Sequence, residues 1–535
     1  MAIEKRKEIK LTKKIVIIAL AVILVFTLFQ FFGCAPKVSR GIVVGYDQEP
    51  AILNPFITGG DMMATADVIQ SVSQGLFTVD NTLNYVPVLL AEVPSMENGG
   101  ITQDPFTITY KLKKGIKWSD GKPLTSADIK FTWETIMNPD NQILSRDGYD
   151  KIESIETPDD QTAVVKFKEI YAPWKNLFSP PYAVLPMHWL EGKDFNQAMN
   201  RELLGSGPYM FKEWVSGDSI TLVRNPKYWD DPKPTIESIT FKYNPETNTL
   251  VTMLQSGEVD MIIPPPDVAL IEQLKAIEGV KVDIQGGLIW EHLAFGQNRD
   301  TVLRDVNIRK AICHAVDRQS IVNELLKGQV NVLQSIYVST QPVYIPAWEQ
   351  YDYNIDKAKE YLAKSGYGPD NPIDLKISTT AGNVLREQLE QIIQANLKEI
   401  GINITIENFD PDTWFGEKTP TGEFDIGEWA WLVSPDPDLA STFAGDMIPP
   451  DGQNYYWYNN DQVTTLLHDA NKQADEAKRF EMYKEVQRLM AEDAIILPLY
   501  QRLNVVAYNS ALKGVKANPS QIGTFWNTEE WTIEE

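Results

Sequence analysis

The sequence predicts an α/β protein built from more than one packed unit. Three observations predict it. Strand-like and helix-like segments alternate along nearly the whole length. The chain has 535 residues, 43 % hydrophobic and 23 % charged, which is ordinary globular composition and implies two to four domains at about 100–200 residues each. Its two cysteines, Cys34 and Cys313, exclude a disulfide framework, so packing must hold the fold.

The elements follow in order. Ile42 to Tyr46 is short and β-branched, a strand. Asp61 to Leu76 places Val68, Ile69, Val72 and Leu76 at helical spacing. Phe106 to Leu112 alternates and reads as a strand. Thr125-Ser-Ala-Asp128 is a capping signal, and Ile129, Thr132, Trp133, Ile136 and Met137 then share a helical face. Ile155 to Phe167 reads as a hairpin turning at Pro158-Asp159-Asp160. Ile220 to Arg224 and Ser238 to Tyr243 are strands, and Ile308 to His314 and Arg318 to Leu326 are helical. Leu385, Leu389, Ile392, Ile393, Asn396 and Ile400 make a helix that stops at Gly401. Ile402, Ile404 and Ile406 alternate directly after it. Phe480, Tyr483, Val486 and Met490 mark another helix, and Ile495 to Leu503 a strand.

Charge and motifs weigh against several functions. The net charge of −24 comes without a basic stripe, which argues against nucleic acid, because a phosphate backbone is bound by clustered Lys and Arg. Four histidines, His188, His292, His314 and His468, show no close ligand spacing, so no metal site is expected. No GxxxxGK[ST] or GxGxxG loop and no GxSxG elbow occurs, so no cofactor and no enzyme activity are expected.

The N-terminus reads as a separate object. Lys5, Arg6, Lys7, Lys10, Lys13 and Lys14 precede an apolar run from Ile15 to Phe32, and Gly33-Cys34 follows. This is the pattern of a signal peptide over 1–33. Gly33-Cys34 resembles the end of a bacterial lipobox, with Cys34 as the lipidated residue. A retained transmembrane anchor is the alternative, since the run is nearly long enough to span a bilayer.

Several residues are candidates for a site. Trp118, Trp133 and Trp229 have apolar neighbours and read as core. Trp429 and Trp431 flank Ala430, ahead of Ser434-Pro-Asp-Pro-Asp438. Alternate strand residues share a face, so two indoles there can wall a cleft. Asp436 and Asp438 read first as turn and capping residues. Trp290-Glu291-His292 offers an indole and a carboxylate, and Gly59-Gly60-Asp61 a turn whose backbone can meet a ligand. Cys313 reads as a small buried residue.

Taken together, several segments resemble one family. Tyr110 to Asp128 (YKLKKGIKWSDGKPLTSAD) looks like its signature. Gly205 to Tyr209 with Arg224 to Trp229, Ile308 to Ile312 with Ala315 to Arg318, and Tyr458-Asn-Asn with Leu497 to Tyr500 are similar to further segments. The family is the bacterial extracellular solute-binding proteins, family 5, receptors of ABC importers for oligopeptides, dipeptides, nickel and oligosaccharides. The resemblance runs over about residues 41–535.

The resemblance implies a bilobed periplasmic-binding-protein-like fold of type II, with an extra domain inserted in the first lobe. Lobe one would be 38–77, 204–288 and 494–535, the inserted domain 78–203 and lobe two 289–493. The ligand would lie between lobes that close by a hinge. In peptide-binding members an Asp pairs with the peptide ammonium, and Leu432 occupies that place here. The expected ligand residues are Gly59, Gly60, Asp61, Trp290, Glu291, Trp429, Trp431 and Asp436. Peptide is the first expectation for the ligand, an oligosaccharide stacked on the indoles the second, and a nickel chelate weaker. A secreted hydrolase is the alternative of another class. The partners implied are the permease subunits and, through the lipid anchor, the outer face of the cell membrane, with the receptor a monomer.

Overall fold

The computed structural model describes residues 41–298, 301–520 and 523–534. The basic segment, the apolar run and Cys34 lie outside the described residues. β1 (Ile42–Tyr46) is almost wholly buried, as a β-branched strand covered on both faces should be. A hairpin, β2 (Phe77–Val79) and β3 (Tyr85–Pro87), follows. Then β4 (Ile101–Gln103), β5 (Phe106–Lys111), β6 (Ile152–Asp159) and β7 (Thr162–Phe167) form an antiparallel sheet in the order β4-β5-β7-β6. Alternation on β5 buries Phe106, Ile108 and Tyr110 on one face. The helix Ser126–Met137 packs on this sheet and opens with the Thr125–Asp128 capping box, in which the Thr125 amide donates to Asp128 Oδ2 at 2.8 Å.

The chain then completes a ten-stranded sheet. β8 (Tyr209–Val215), β9 (Ser219–Arg224) and β10 (Ser238–Tyr243) form an antiparallel meander, and β10 lies parallel to β1. β11 (Met261–Ile262) takes the other side of β1. β12 (Val280–Phe295), β13 (Ile373–Ser378), β14 (Ile402–Ile406), β15 (Ile426–Leu432) and β16 (Ile496–Asn509) complete the order β14-β13-β15-β12-β16-β11-β1-β10-β9-β8. β17 (Leu512–Lys513) and β18 (Thr532–Ile533) pair near the C-terminus.

β12 and β16 join the two halves of this sheet, because β15 pairs only with one end of β12 and β11 only with the far end of β16. Their register shifts between Gly286 and Trp290, a bulge that bends the pair midway. The Gln501 amide lies over Gly286, 2.6 Å from where a Cβ would stand, and donates to the Gly287 carbonyl at 2.5 Å, bridging the two strands at the bend.

Two large cores lie on either side of that bend. One gathers Ile42 to Phe241 with Val506 to Trp531 and runs on through the β4–β7 sheet. The other gathers Leu288 to Tyr500, and Val79 and Leu83 of the first hairpin also pack in it. We call these halves lobe one and lobe two. Among the described residues no helix is long and apolar enough to cross a membrane, and no group of three or more His, Cys, Asp or Glu could hold a metal.

Candidate functional site

Three adjoining cavities run along the junction of the lobes. The first, 590 Å³, lies between Gly60, Asp61, Met63, Leu144 and Tyr182 on one side and Leu432 on the other. Leu432 also lines the second, 770 Å³, with Thr380, Val384, Phe415 and Ala430. Asn383, Arg386 and Arg502 belong to the second and to a third, 410 Å³, which Pro265, Glu291 and Tyr500 complete. Met63, Leu144, Val384, Phe415 and Leu432 are large apolar side chains left exposed, Val384 by 64 % and Leu432 by 46 %, and all five line this cleft. A concentration of uncovered apolar surface inside a concavity marks a place that another molecule covers.

Strand register decides which predicted residues face the cleft. β12 and β15 pair Trp290 with Trp431 and His292 with Trp429, so these four side chains share one face. That face turns into lobe two. Trp290 and Trp429 are fully buried, and Trp429 stands among Trp414, Phe424 and Tyr456 with ring centroids 6.1, 5.6 and 5.5 Å away. His292 accepts or donates at 2.8 Å to Tyr456 Oη, and burial pushes its pKa down to about 3. Trp431 is half-buried, donates to Tyr456 Oη at 2.7 Å and stacks on Tyr455. The two indoles of β15 do share a face, but packing rather than a ligand covers it. Trp290 and Trp429 therefore do not wall the cleft, because an indole face this apolar is best buried in the core.

The opposite face of the same strands carries Ile289, Glu291, Glu428, Ala430 and Leu432. Glu291 is buried and receives two guanidinium groups: Arg386 at 3.1 Å and Arg502 through Nε at 2.7 Å. Glu428 is also buried, and neither of its carboxyl oxygens has a hydrogen-bond partner among the described residues. Burial holds its carboxyl well above the usual carboxylate range, and the Glu291 charge adds to this against the pull of Arg386.

Gly59-Gly60-Asp61 precedes the helix Met63–Gln70, and Gly60 and Asp61 line the first cavity. A Cβ on Gly60 would lie 1.7 Å from the Asn54 carbonyl oxygen, so only glycine permits this turn. Asp61 Oδ1 accepts the Gly59 amide at 3.2 Å and remains exposed. Asp436 lies elsewhere. It is buried, holds Arg479 through two bonds of 2.7 Å, and lines none of the three cavities. Its lone pairs are engaged by a cation of its own lobe, which explains why it is not offered to a ligand. Cys313 is buried in the helix Val306–Ala315.

Arg386, Arg502, Tyr500 and the apolar wall of Val384 and Phe415 are not singled out by sequence. They come from segments far apart in the chain, and only the pairing of β12 with β16 and the start of the helix Val384–Lys398 bring them together. At the other end the lobes already touch. The Ala172 amide donates to the Asn471 carbonyl at 3.1 Å, and Lys175 pairs with Glu476 at 2.7 Å.

Two α/β lobes on a shared sheet, joined by two long strands and enclosing a cleft of exposed apolar and charged side chains, define a solute-binding protein. Residues 84–447 match the bacterial extracellular solute-binding proteins, family 5, and the chain belongs to that family. It is 28 % identical to the oligopeptide-binding protein AppA of Bacillus subtilis, over 93 % of this chain and 92 % of that one. Its fold is that of the ABC transporter substrate binding protein CtaP of Listeria monocytogenes, with TM-score 0.81 and 24 % identity over 93 % of this chain and all of that one. It is also similar to the crystal structure of Bacillus subtilis AppA in complex with a nonapeptide, with TM-score 0.68 and 26 % identity over 93 % of this chain and all of that one.

Proposed function

We propose that this chain is the peptide receptor of an ABC importer, non-enzymatic and extracytoplasmic, which captures its ligand between the lobes and presents it to the permease. The observation that carries this reading is the cleft wall, which brings five exposed apolar side chains together with the turn at Gly60 and Asp61. A peptide needs both: the backbone repeats in every sequence and is held by main-chain groups, and variable side chains need apolar pockets. Relatives named for oligopeptide binding support it. An oligosaccharide receptor would offer indole faces for stacking, whereas Trp290 and Trp429 are turned inward.

Titration of a mixed peptide library by calorimetry is expected to show saturable binding. X-ray scattering with the same library is expected to show a smaller radius of gyration, as the bend in β12 and β16 lets the lobes close. An unchanged radius at saturation would refute closure. The anchor is a second expectation. Replacing Cys34 with Ser should release the protein from cells or leave its N-terminus unprocessed, and continued membrane retention with an intact N-terminus would favour a retained transmembrane segment.

A further inference from the structure

We propose that Glu428 is a proton-operated positioning residue: uncharged, it leaves Arg386 to brace the cleft wall, and once ionised it draws that guanidinium away and weakens ligand binding. The proposal rests on the reading of the cleft as the peptide site. It adds a pH dependence to that site and names the group that sets it.

Arg386 ties one stretch of the wall to the sheet. It donates to Glu291 through Nε at 3.2 Å and Nη2 at 3.1 Å, and through Nη1 to Thr380 Oγ1 at 3.1 Å. Thr380, Ala381, Gly382, Asn383 and Val384 all line the second cavity. The bond to Thr380 therefore holds that stretch against β12. Arg386 also stands in the first turn of the helix Val384–Lys398, where the helix dipole repels a cation. Only its acceptors keep it there, so a competing carboxylate moves it.

Glu428 is that competitor, already in place. It is fully buried, and its carboxyl has no hydrogen-bond partner among the described residues. Its main-chain carbonyl accepts Thr379 Oγ1 at 2.9 Å, so its strand adjoins the same stretch of wall. The ionisable groups that face it are Glu291 of β12, Tyr500 and Arg502 of β16, and Arg386 and Glu390 of the helix. Asp374 and Lys376 of β13 are exposed, and Glu387 accepts the Gly382 amide at 2.7 Å. Tyr500 is buried, which raises its hydroxyl well above the ordinary range and keeps it neutral. Glu390 is buried, accepts Asn408 Nδ2 at 2.7 Å and is raised to about 7. Of the two cations, Arg386 pulls on Glu428 the more strongly. A buried carboxylate without a hydrogen bond is far costlier than the uncharged acid, so Glu428 keeps its proton while Glu291 alone takes both guanidinium groups. Once Glu428 ionises, two carboxylates face two guanidinium groups and each takes one. Arg502 keeps Glu291 through Nε at 2.7 Å, Arg386 passes to Glu428, and Thr380 loses its donor. The binding form thus holds a proton that the rearranged form lacks. Affinity falls as pH rises through this ionisation, by up to about tenfold per pH unit for one linked proton.

Calorimetry on the purified full chain, with one mixed peptide library from pH 5 to pH 9, compares the unaltered protein with Glu428→Gln. Gln keeps the shape and has no proton to lose. Protons lost by the peptides or by other groups are common to both proteins, so the ratio of the two dissociation constants isolates Glu428. The two are expected to bind equally at pH 5, and the unaltered protein about tenfold or more weakly by pH 9. A merely structural role would shift the ratio by the same factor at every pH. Glu428→Met, of similar volume and equally without a proton, should repeat the profile, and thermal melts check that both variants fold. The infrared difference between unaltered and variant protein should contain the carbonyl band of a protonated carboxyl at pH 5, and that band should fade over the range in which the ratio rises. A ratio independent of pH in a folded variant, or no such band at pH 5, overturns the proton switch and leaves the peptide reading standing. Binding of no peptide by either protein at any pH overturns both.

Discussion

Asp436→Ala is expected to lower the stability of the protein by about 3–5 kcal/mol, the range measured when one partner of a buried ion pair is removed. Arg479 is buried and gives two parallel bonds of 2.7 Å to Asp436, one to Tyr483 Oη at 3.1 Å and one to the Ala470 carbonyl at 3.2 Å. Truncation of the carboxylate leaves a desolvated guanidinium with only neutral acceptors. The loss falls on the segment that meets lobe one, since Asn471 carries the carbonyl held by the Ala172 amide and also accepts from Tyr483 at 3.0 Å. Urea unfolding measures it. The double variant Asp436→Leu with Arg479→Met should recover most of the loss, because apolar replacement of a buried pair removes both desolvation costs. A ligand contact at Asp436 would behave oppositely, with affinity lost and the urea midpoint unmoved. A loss below about 1 kcal/mol would place this pair with weak surface bridges and sink the structural assignment.

Local chemistry made much of the fold legible. The capping signal at Thr125–Asp128 starts a helix where expected, and the hairpin about Asp159 forms with strands Ile152–Asp159 and Thr162–Phe167. The helix before Gly401 ends in time for that residue to take a φ of +91°, and Ile402–Ile406 follows as a strand. These features depend on residues within a few positions of each other. The helix expected over Asp61 to Leu76 is shorter, Met63–Gln70, because the carbonyls that follow it are taken by another segment: Ser71 accepts the Tyr209 amide at 3.0 Å and Val72 the Gly207 amide at 2.9 Å. Tertiary approach, which periodicity does not contain, stops it there.

The site was legible in part. Period-two spacing correctly puts Trp429 and Trp431 on one face. It does not say which face meets the cleft, since a one-residue change of register exchanges the two. The pairing with β12 made that choice: it put Leu432 and Ala430 on the cleft, buried Glu291 at its wall and Glu428 beneath it, and turned the indoles into lobe two. Arg386 and Arg502 each look like an isolated surface charge in sequence. Their shared carboxylate, Glu291, becomes visible only when β12 and β16 lie side by side.

Asp67→Asn is expected to make stability less dependent on pH, with the two proteins diverging by up to about 4 kcal/mol between pH 4 and pH 8. Asp67 is buried in the helix that carries Met63 into the cleft, and Tyr46 Oη donates to it at 2.7 Å. Gly523, at φ +81°, lies so close that a Cβ there would be 1.9 Å from Asp67 Oδ1. Among the described residues no cation neutralises the carboxyl, so burial raises its pKa from 3.8 to about 7 even though the Tyr46 bond pulls the other way. In the unfolded chain the group ionises near 4. Between about pH 4 and pH 7 the folded state therefore binds more protons than the unfolded one, and stability falls as pH rises through that window. Above about 7 the folded state ionises too and the effect levels off. Asn keeps the shape and has no proton to lose. Glu390 and Glu529, also raised to about 7 by burial, and His292, held near 3, titrate in both proteins and drop out of the difference. The unaltered protein should thus be the less stable of the two at pH 8, and urea midpoints compared at pH 4, 6 and 8 should show the gap opening mainly between 4 and 7. A gap that stays constant over that range would mean that Asp67 is ionised in the folded protein, with a counter-charge at the join of this helix and the C-terminal segment.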